Sequence, residues 1–133
     1  MTALFLALVA RDVTGIEENR TAVKDAKHNA LVNGLERCRF IHGKVEDVLK
    51  SSQIEKPDLI LLDLPRTGCK SVINPIVDLK PKRIVYVSCE PTTFSRDLRL
   101  FSDRGYRLER LTLVDLFPQT YHMEVVALLR SGC

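Results

Sequence analysis

At 133 residues the chain has room for one domain with a sizeable core and too little for two ordinary ones. Its 45% hydrophobic and 28% charged residues are those of a soluble globular protein. A net charge of +3, from 20 basic and 17 acidic residues, excludes a polybasic arm and favours an anionic partner only mildly.

Met1 to Ala10 is apolar, but a membrane-spanning helix needs roughly twenty such residues, and no basic start or small-residue cleavage site marks a secretory signal. The expectation is a cytoplasmic chain, not membrane-bound, whose first helix begins at once. Asp12 to Glu17 reads as a short strand. Asn19 then caps a helix whose apolar positions Ala22, Val23, Ala26 and Ala30 repeat at helical spacing, and Asn33-Gly34 stops it. Cys38 to His42 reads as a second strand and Val45 to Lys50 as a helical turn or two. Asp58-Leu-Ile-Leu-Leu-Asp63 and Arg83-Ile-Val-Tyr-Val-Ser-Cys89 are continuous apolar runs, suited to parallel strands covered on both faces. After Pro91 a helix carries Phe94, Leu98 and Phe101 on one face and ends at Gly105. Tyr106 to Leu113 and Met123 to Leu129 read as closing strands around a Phe117-Pro118-Gln119-Thr120 turn. Strands alternating with helices, then two closing strands, indicate an open α/β fold.

The four cysteines, Cys38, Cys69, Cys89 and Cys133, form no CxxC pair, and no histidine stands at zinc-finger spacing. Four reduced thiols and no structural metal are expected.

Ligands of open α/β sheets bind outside the carboxyl ends of the strands. That rule selects Glu17, the loop after His42, Asp63-Leu-Pro-Arg66 and Ser88-Cys-Glu-Pro91. Glu17 suits a ribose hydroxyl pair, or else is a solvated carboxylate or helix-dipole partner ahead of Asn19. Asp63 can present a carboxylate to a planar base or an amine, or simply cap the next turn. Cys89 emerges near the start of a helix whose free N–H groups favour thiolate, yet a strand-end cysteine can also be an inert core residue. Arg66, Arg96, Arg99, Arg104, Arg107 and Arg110 could meet phosphates, but Asp97, Asp103 and Glu109 are interleaved among them, as on a solvated surface.

Three blocks, Asp63-Leu-Pro-Arg-Thr-Gly68, Ile84-Val-Tyr-Val-Ser-Cys-Glu-Pro91 and Asp115-Leu-Phe-Pro-Gln-Thr-Tyr-His-Met-Glu124, resemble the signature blocks of the RNA (uracil-5-)-methyltransferases in order and spacing. Val13-Thr-Gly-Ile-Glu17 and Asn29-Ala-Leu-Val-Asn-Gly34 are similar to that family's second strand and following helix. The resemblance runs over nearly the whole chain. It implies a Rossmann-like class I methyltransferase sheet with helices on both faces, S-adenosylmethionine as cofactor and a uridine of tRNA or rRNA as substrate. It further implies that Cys89 is the nucleophile, Glu124 the general base, and Glu17 and Asp63 cofactor-binding acids, Glu17 at the ribose. Lys44 falls where the family often has a polar residue near the adenine.

The pair has a chemical rationale of its own. Carbon 5 of uracil is too poor a nucleophile to take a methyl group unaided. Thiolate addition at carbon 6 makes an enolate that is electron-rich at carbon 5. A base must then remove the carbon-5 proton so that the thiol can leave.

Two replacements depart from the family: Glu90 stands where the block has Asn, and Leu64 where Asp-Pro-Pro-Arg is common. A carboxylate beside the nucleophile works against its thiolate. The family's Asp-x-x-x-Gly-x-Gly turn, with the strand before it, has no counterpart here, nor has its N-terminal RNA-binding domain. The whole of 1–133 is therefore expected to be a partial catalytic domain lacking the first strand and glycine-rich loop. That strand lies between those ending at Glu17 and Asp63, so these would either pair directly or be completed by a missing N-terminal part or a second chain. The competing expectation is a non-catalytic α/β binding or assembly module.

Overall fold

The computed structural model describes residues 6–115, 119 and 123–132. Of the expected N-terminal helix, the described part from Leu6 forms a single turn, in which the Val9 and Ala10 N–H groups donate to the Leu6 carbonyl at 3.0 and 2.8 Å; most of the Phe117–Thr120 turn lies outside the described residues, as does Cys133. Chain contacts divide the protein into two compact units, Met1–Gln53 and Ile54–Cys133.

In the first unit β1 (Val13–Glu17) runs parallel to β2 (Cys38–His42), with Val13 opposite Cys38 and Glu17 opposite His42. Helix α1 (Arg20–Val32) connects them and buries Val23, Ala26 and Ala30, the stripe that its apolar spacing dictates. Its first turn is capped by Asn19, whose side-chain oxygen accepts from the N–H groups of Thr21 and Ala22 at 2.9 and 3.1 Å. Gly34, at φ +66°, lets the chain leave the helix in a left-handed conformation that a side chain would resist. The short α2 (Val45–Lys50) follows and buries Val48.

The second unit is a four-stranded sheet in the order β3-β4-β6-β5. β3 (Leu59–Asp63) and β4 (Arg83–Ser88) are parallel, joined through the short helix α3 (Ile73–Asp78). After α4 (Pro91–Ser102), β5 (Tyr106–Asp115) and β6 (Met123–Ser131) return antiparallel, β6 pairing with both β4 and β5. The β5–β6 ladder shifts register between Leu108 and Arg110, a bulge on the outer strand.

One sheet face is buried over its central strands, while Leu108, Leu111 and Leu113 of β5 on the same face stay exposed. Leu62, Tyr86 and Ala127 stand side by side in register, flanked by Ile84 with Leu129 and Ser88 with Val125. Phe94 and Phe101 of α4 are buried too. Phe94 packs on Tyr86 with ring centroids 5.3 Å apart, and Phe101 meets Tyr106 edge-on at 6.2 Å. On the other face Leu61, Val85, Val87, Val126 and Leu128 are only half-buried, less covered than the continuous apolar runs led one to expect.

Of the two alternatives for the strands ending at Glu17 and Asp63, direct pairing is not seen among the described residues. β1 has its ladder with β2, and β3 with β4. Each strand satisfies one edge with the parallel neighbour delivered by the crossover that follows it, and that local pairing prevails. Helix α3 escapes the reading because its six residues include Pro75, ordinarily a helix breaker, and Val72 at its N-cap offers no capping side chain.

Phe101 is completely buried, so Phe101→Ala should lower unfolding free energy by about 3–5 kcal/mol, measured by urea denaturation. Retention of wild-type stability would mean that α4 is not docked on the sheet as described.

Candidate active site

The carboxyl ends of β3 and β4 lie side by side, because Asp63 pairs with Val87 in a parallel ladder. Asp63 is exposed at the end of its strand. Two residues beyond Val87, Cys89 is exposed as a free thiol. The antiparallel ladder adds a third residue: Ser88 pairs with Val125, so Glu124 stands one step past the last pair, on the strand beside Cys89. Glu124 is half-buried at the start of β6. Asp63, Cys89 and Glu124 therefore gather at one end of the sheet, as the rule for open α/β sheets requires.

In the first unit Glu17 and His42 end their strands together, and Lys44 is exposed two residues on. Gly43 N–H donates to the Glu17 carbonyl at 3.0 Å, closing the strand ends. The Glu17 carboxylate accepts from Asn19 N–H at 2.8 Å and so braces the entry to α1. Lys44 occupies the N-cap position of α2 without a side-chain capping bond. Of the two roles open to Glu17, the bracing contact is visible here.

Glu90 follows the candidate nucleophile, and its carboxylate turns back as the N-cap of α4, accepting from Thr92 N–H at 3.2 Å. The Ser88 hydroxyl oxygen accepts from Glu90 N–H at 3.1 Å, fixing the bend that turns Cys89 outward.

What the sequence reading missed is beneath this surface. Asp97 is not a solvated charge: it is 0% exposed. One carboxylate oxygen accepts from Cys69 N–H and from the Tyr86 hydroxyl, each at 2.8 Å. The other accepts from Arg96 Nε and Nη2 at 2.9 and 2.8 Å. Arg96 also donates to the Thr67 carbonyl at 3.0 Å, and the Thr93 hydroxyl to the Arg66 carbonyl at 2.9 Å. Three side chains spaced over little more than one turn of α4, Thr93, Arg96 and Asp97, thus hold the loop from Leu64 to Cys69. A signal existed: Asp97 falls at the i+3 position of the apolar stripe begun by Phe94, with Leu98 at i+4 and Phe101 at i+7. By contrast Arg66, Arg99, Arg104, Arg107 and Arg110 are exposed, as expected.

Burial drives the Asp97 carboxyl pKa upward, but the hydrogen bonds from Cys69 N–H, Arg96 and Tyr86 outweigh it and hold the group below the ordinary carboxylate range. The Cys69 thiol, buried and facing that carboxylate, is pushed up to about 12. Burial and the bond to Asp97 raise the Tyr86 hydroxyl likewise.

Three outcomes follow from this geometry. Because the folded pKa of Asp97 is depressed, its contribution is present above the unfolded value of about 3.9 and is lost as pH falls through the folded value. Urea midpoints should therefore drop with acid more in wild type than in Asp97→Asn. Gly68 has φ +78°, and an added Cβ would run into the Asp97 carboxylate and lie 2.7 Å from Arg96 Nη2. Gly68→Ala should cost about 2–4 kcal/mol by the same assay. In a Cys133→Ser background, a disulfide reagent should label Cys89 promptly and Cys69 only on unfolding. Prompt labelling of Cys69 would contradict its burial.

Comparison with known proteins accords with this architecture. The profile of the tRNA (uracil-5-)-methyltransferases matches residues 3–131. An RNA methyltransferase of Caldanaerobacter subterraneus subsp. tengcongensis, itself uncharacterised, is 46% identical over 130 residues, 97% of this chain and 29% of its own length. A second from that organism is 49% identical over 130 residues, 96% of this chain and again 29% of the relative. This chain thus spans under a third of the length of the curated relatives it matches. Among solved structures, the Pyrococcus abyssi tRNA (uracil-54, C5)-methyltransferase in complex with S-adenosyl-L-homocysteine superposes with a TM-score of 0.80 at 31% identity, over 95% of this chain and 30% of that one. M. capricolum TrmK, also with S-adenosylhomocysteine, shares the fold alone, with a TM-score of 0.76 at 14% identity over 98% of this chain and 57% of that one. The α/β fold is that of the class I methyltransferases, and the chain belongs to the tRNA (uracil-5-)-methyltransferase family.

Proposed function

We propose that this chain is part of the catalytic domain of an S-adenosylmethionine-dependent enzyme that methylates carbon 5 of a uridine in tRNA or rRNA. The observation that carries the reading is the exposed Cys89 thiol at the carboxyl end of β4, with Glu124 one register step past the Ser88–Val125 pair on the adjoining strand. The family match and the Pyrococcus abyssi enzyme, whose substrate is a tRNA uracil, support the same chemistry.

Each residue that the family likeness assigns to the cofactor has suitable chemistry within its own unit: Glu17, an exposed acid at the carboxyl end of β1, can accept from ribose hydroxyls, with Lys44 exposed after β2, and Asp63, an exposed acid at the carboxyl end of β3, can accept from amine donors. When bound, S-adenosylmethionine supplies the electrophilic methyl group. The chain's own residues do the rest. The Cys89 thiolate forms a bond to carbon 6 of uracil, and the ring electrons move to the carbon-4 oxygen as an enolate. Carbon 5 of that enolate is then the nucleophile for the methyl group, which the cofactor would give up as its methyl–sulfur bond breaks and S-adenosylhomocysteine leaves. Glu124 then removes the carbon-5 proton, the double bond reforms, and the carbon–sulfur bond breaks to return the thiolate. On this reading the strand and glycine-rich turn that the family pattern includes come from the part of the longer relatives that this chain does not span.

The test is a chimera in which the chain replaces the matching segment of the Caldanaerobacter relative. With 5-fluorouridine RNA and S-adenosylmethionine it should form a covalent complex stable on a denaturing gel, because fluorine at carbon 5 cannot leave as a proton does. Cys89→Ala should abolish the complex. Glu124→Gln should lower turnover about 10²–10⁴-fold and accumulate the adduct on ordinary uridine RNA. An adduct undiminished in Cys89→Ala would sink the nucleophile assignment, and none in the unaltered chimera would favour a non-catalytic binding module.

A further inference from the structure

We infer that Asp97 and Arg96 are positioning residues for catalysis: they lock the loop after β3, which begins at Asp63, to the helix that starts just after Cys89, so that the two strand ends move as one body. This rests on the reading of Cys89 as nucleophile given above, and names parts that the family's signature chemistry does not require.

The geometry is that of a staple. The loop reaches α4 at three successive points. Thr93 holds the Arg66 carbonyl, Arg96 the Thr67 carbonyl, and Asp97 the Cys69 N–H. Between them Gly68 N–H donates to the Pro65 carbonyl at 3.0 Å, tightening the turn. Gly68 is packed so closely on the Asp97–Arg96 pair that no side chain fits there. From the sheet side the Tyr86 hydroxyl reaches the same carboxylate, so β4 itself, three residues before Cys89, is tied in. One carboxylate thereby joins β4, α4 and the loop that follows β3.

This arrangement is more than a stability device. An Asp buried at 0% exposure costs free energy unless every lone pair is matched, and apolar packing at that position would serve the core as well. What a carboxylate adds is direction. It accepts from a loop amide, a strand hydroxyl and a guanidinium at once, and fixes three backbone segments that apolar contact would let slide. Both strand ends feed the reacting centre in the proposed mechanism, and misplacement by about 1 Å there can cost a hundredfold in rate.

Two variants separate positioning from folding. Arg96→Gln removes the guanidinium and the tie to Thr67, while the half-exposed position tolerates the shorter amide. Tyr86→Phe removes the strand tie and keeps the ring packed on Phe94. In the 133-residue chain, hydrogen exchange followed by NMR should show the amides of Gly68 and Cys69 exchanging about tenfold faster in each variant, with Val85 and Val87 of the ladder unchanged. In the chimera, the first-order rate of adduct formation at saturating RNA should fall about ten- to hundredfold, while the RNA concentration giving half-maximal rate stays the same.

Loop and ladder amides accelerating together would reduce Asp97 and Arg96 to fold stabilisers and overturn the proposal. So would a faster-exchanging loop with an unchanged adduct rate, or a loss confined to RNA affinity. If the unaltered chimera forms no adduct, the nucleophile reading fails and takes the catalytic role of the staple with it. That outcome is told apart from failure of the staple itself by the exchange result.

Discussion

A carboxylate removed from water is the constraint on which the second unit is organised. Moving Asp97 into the interior forfeits its hydration, a loss of several kcal/mol that only matched donors offset. The protein answers with donors from three segments: the Cys69 amide, the Tyr86 hydroxyl and the Arg96 guanidinium. No buried side-chain nitrogen or oxygen is left without a partner among the described residues. The need to satisfy one charge thus determines the course of the loop after β3, the rotamer of Arg96 and the requirement for glycine at position 68. It also renders Cys69 chemically quiet, since a thiol facing a buried carboxylate resists ionisation.

The two thiols nearest the candidate site are consequently opposites. Cys69 lies under the loop, 1% exposed, while Cys89 stands at the end of its strand in the open. The difference arises from strand parity and from one bend. Ser88 takes the inward position opposite Val125 and uses its hydroxyl on the Glu90 backbone, and the next residue is turned out. Glu90 then caps α4. Asparagine, which the family has at that position, is among the best N-cap residues, so the exchange to glutamate keeps the mechanical task even as it changes the charge.

Much of this was readable from the chain. The apolar spacing of Val23, Ala26 and Ala30, the Asn19 cap and the β-branched runs specify local structure strongly, and they formed as expected. The end of the sheet at which Asp63, Cys89 and Glu124 meet was readable too, because topology dictates it once the strands are known. Two things were not. The division of strands into separate ladders depends on which edges find partners, a question of tertiary pairing that no local pattern answers. The staple was hidden because an acid flanked by arginines looks solvated, and only its place within the Phe94–Phe101 stripe distinguishes it from Asp103.

The outer strands of the four-stranded sheet differ in how they meet the surroundings. β5 carries Leu111 and Leu113 in the open, yet its register breaks between Leu108 and Arg110, and Arg107, Glu109 and Arg110 line that stretch. A kinked, charged border is a poor template for adding a further strand. β3 has no such interruption: its register with β4 is unbroken and Leu59-Ile-Leu-Leu is apolar, with Asp58 and Asp63 at its ends. Of the two borders, β3 therefore carries fewer of the features that discourage a further strand from adding.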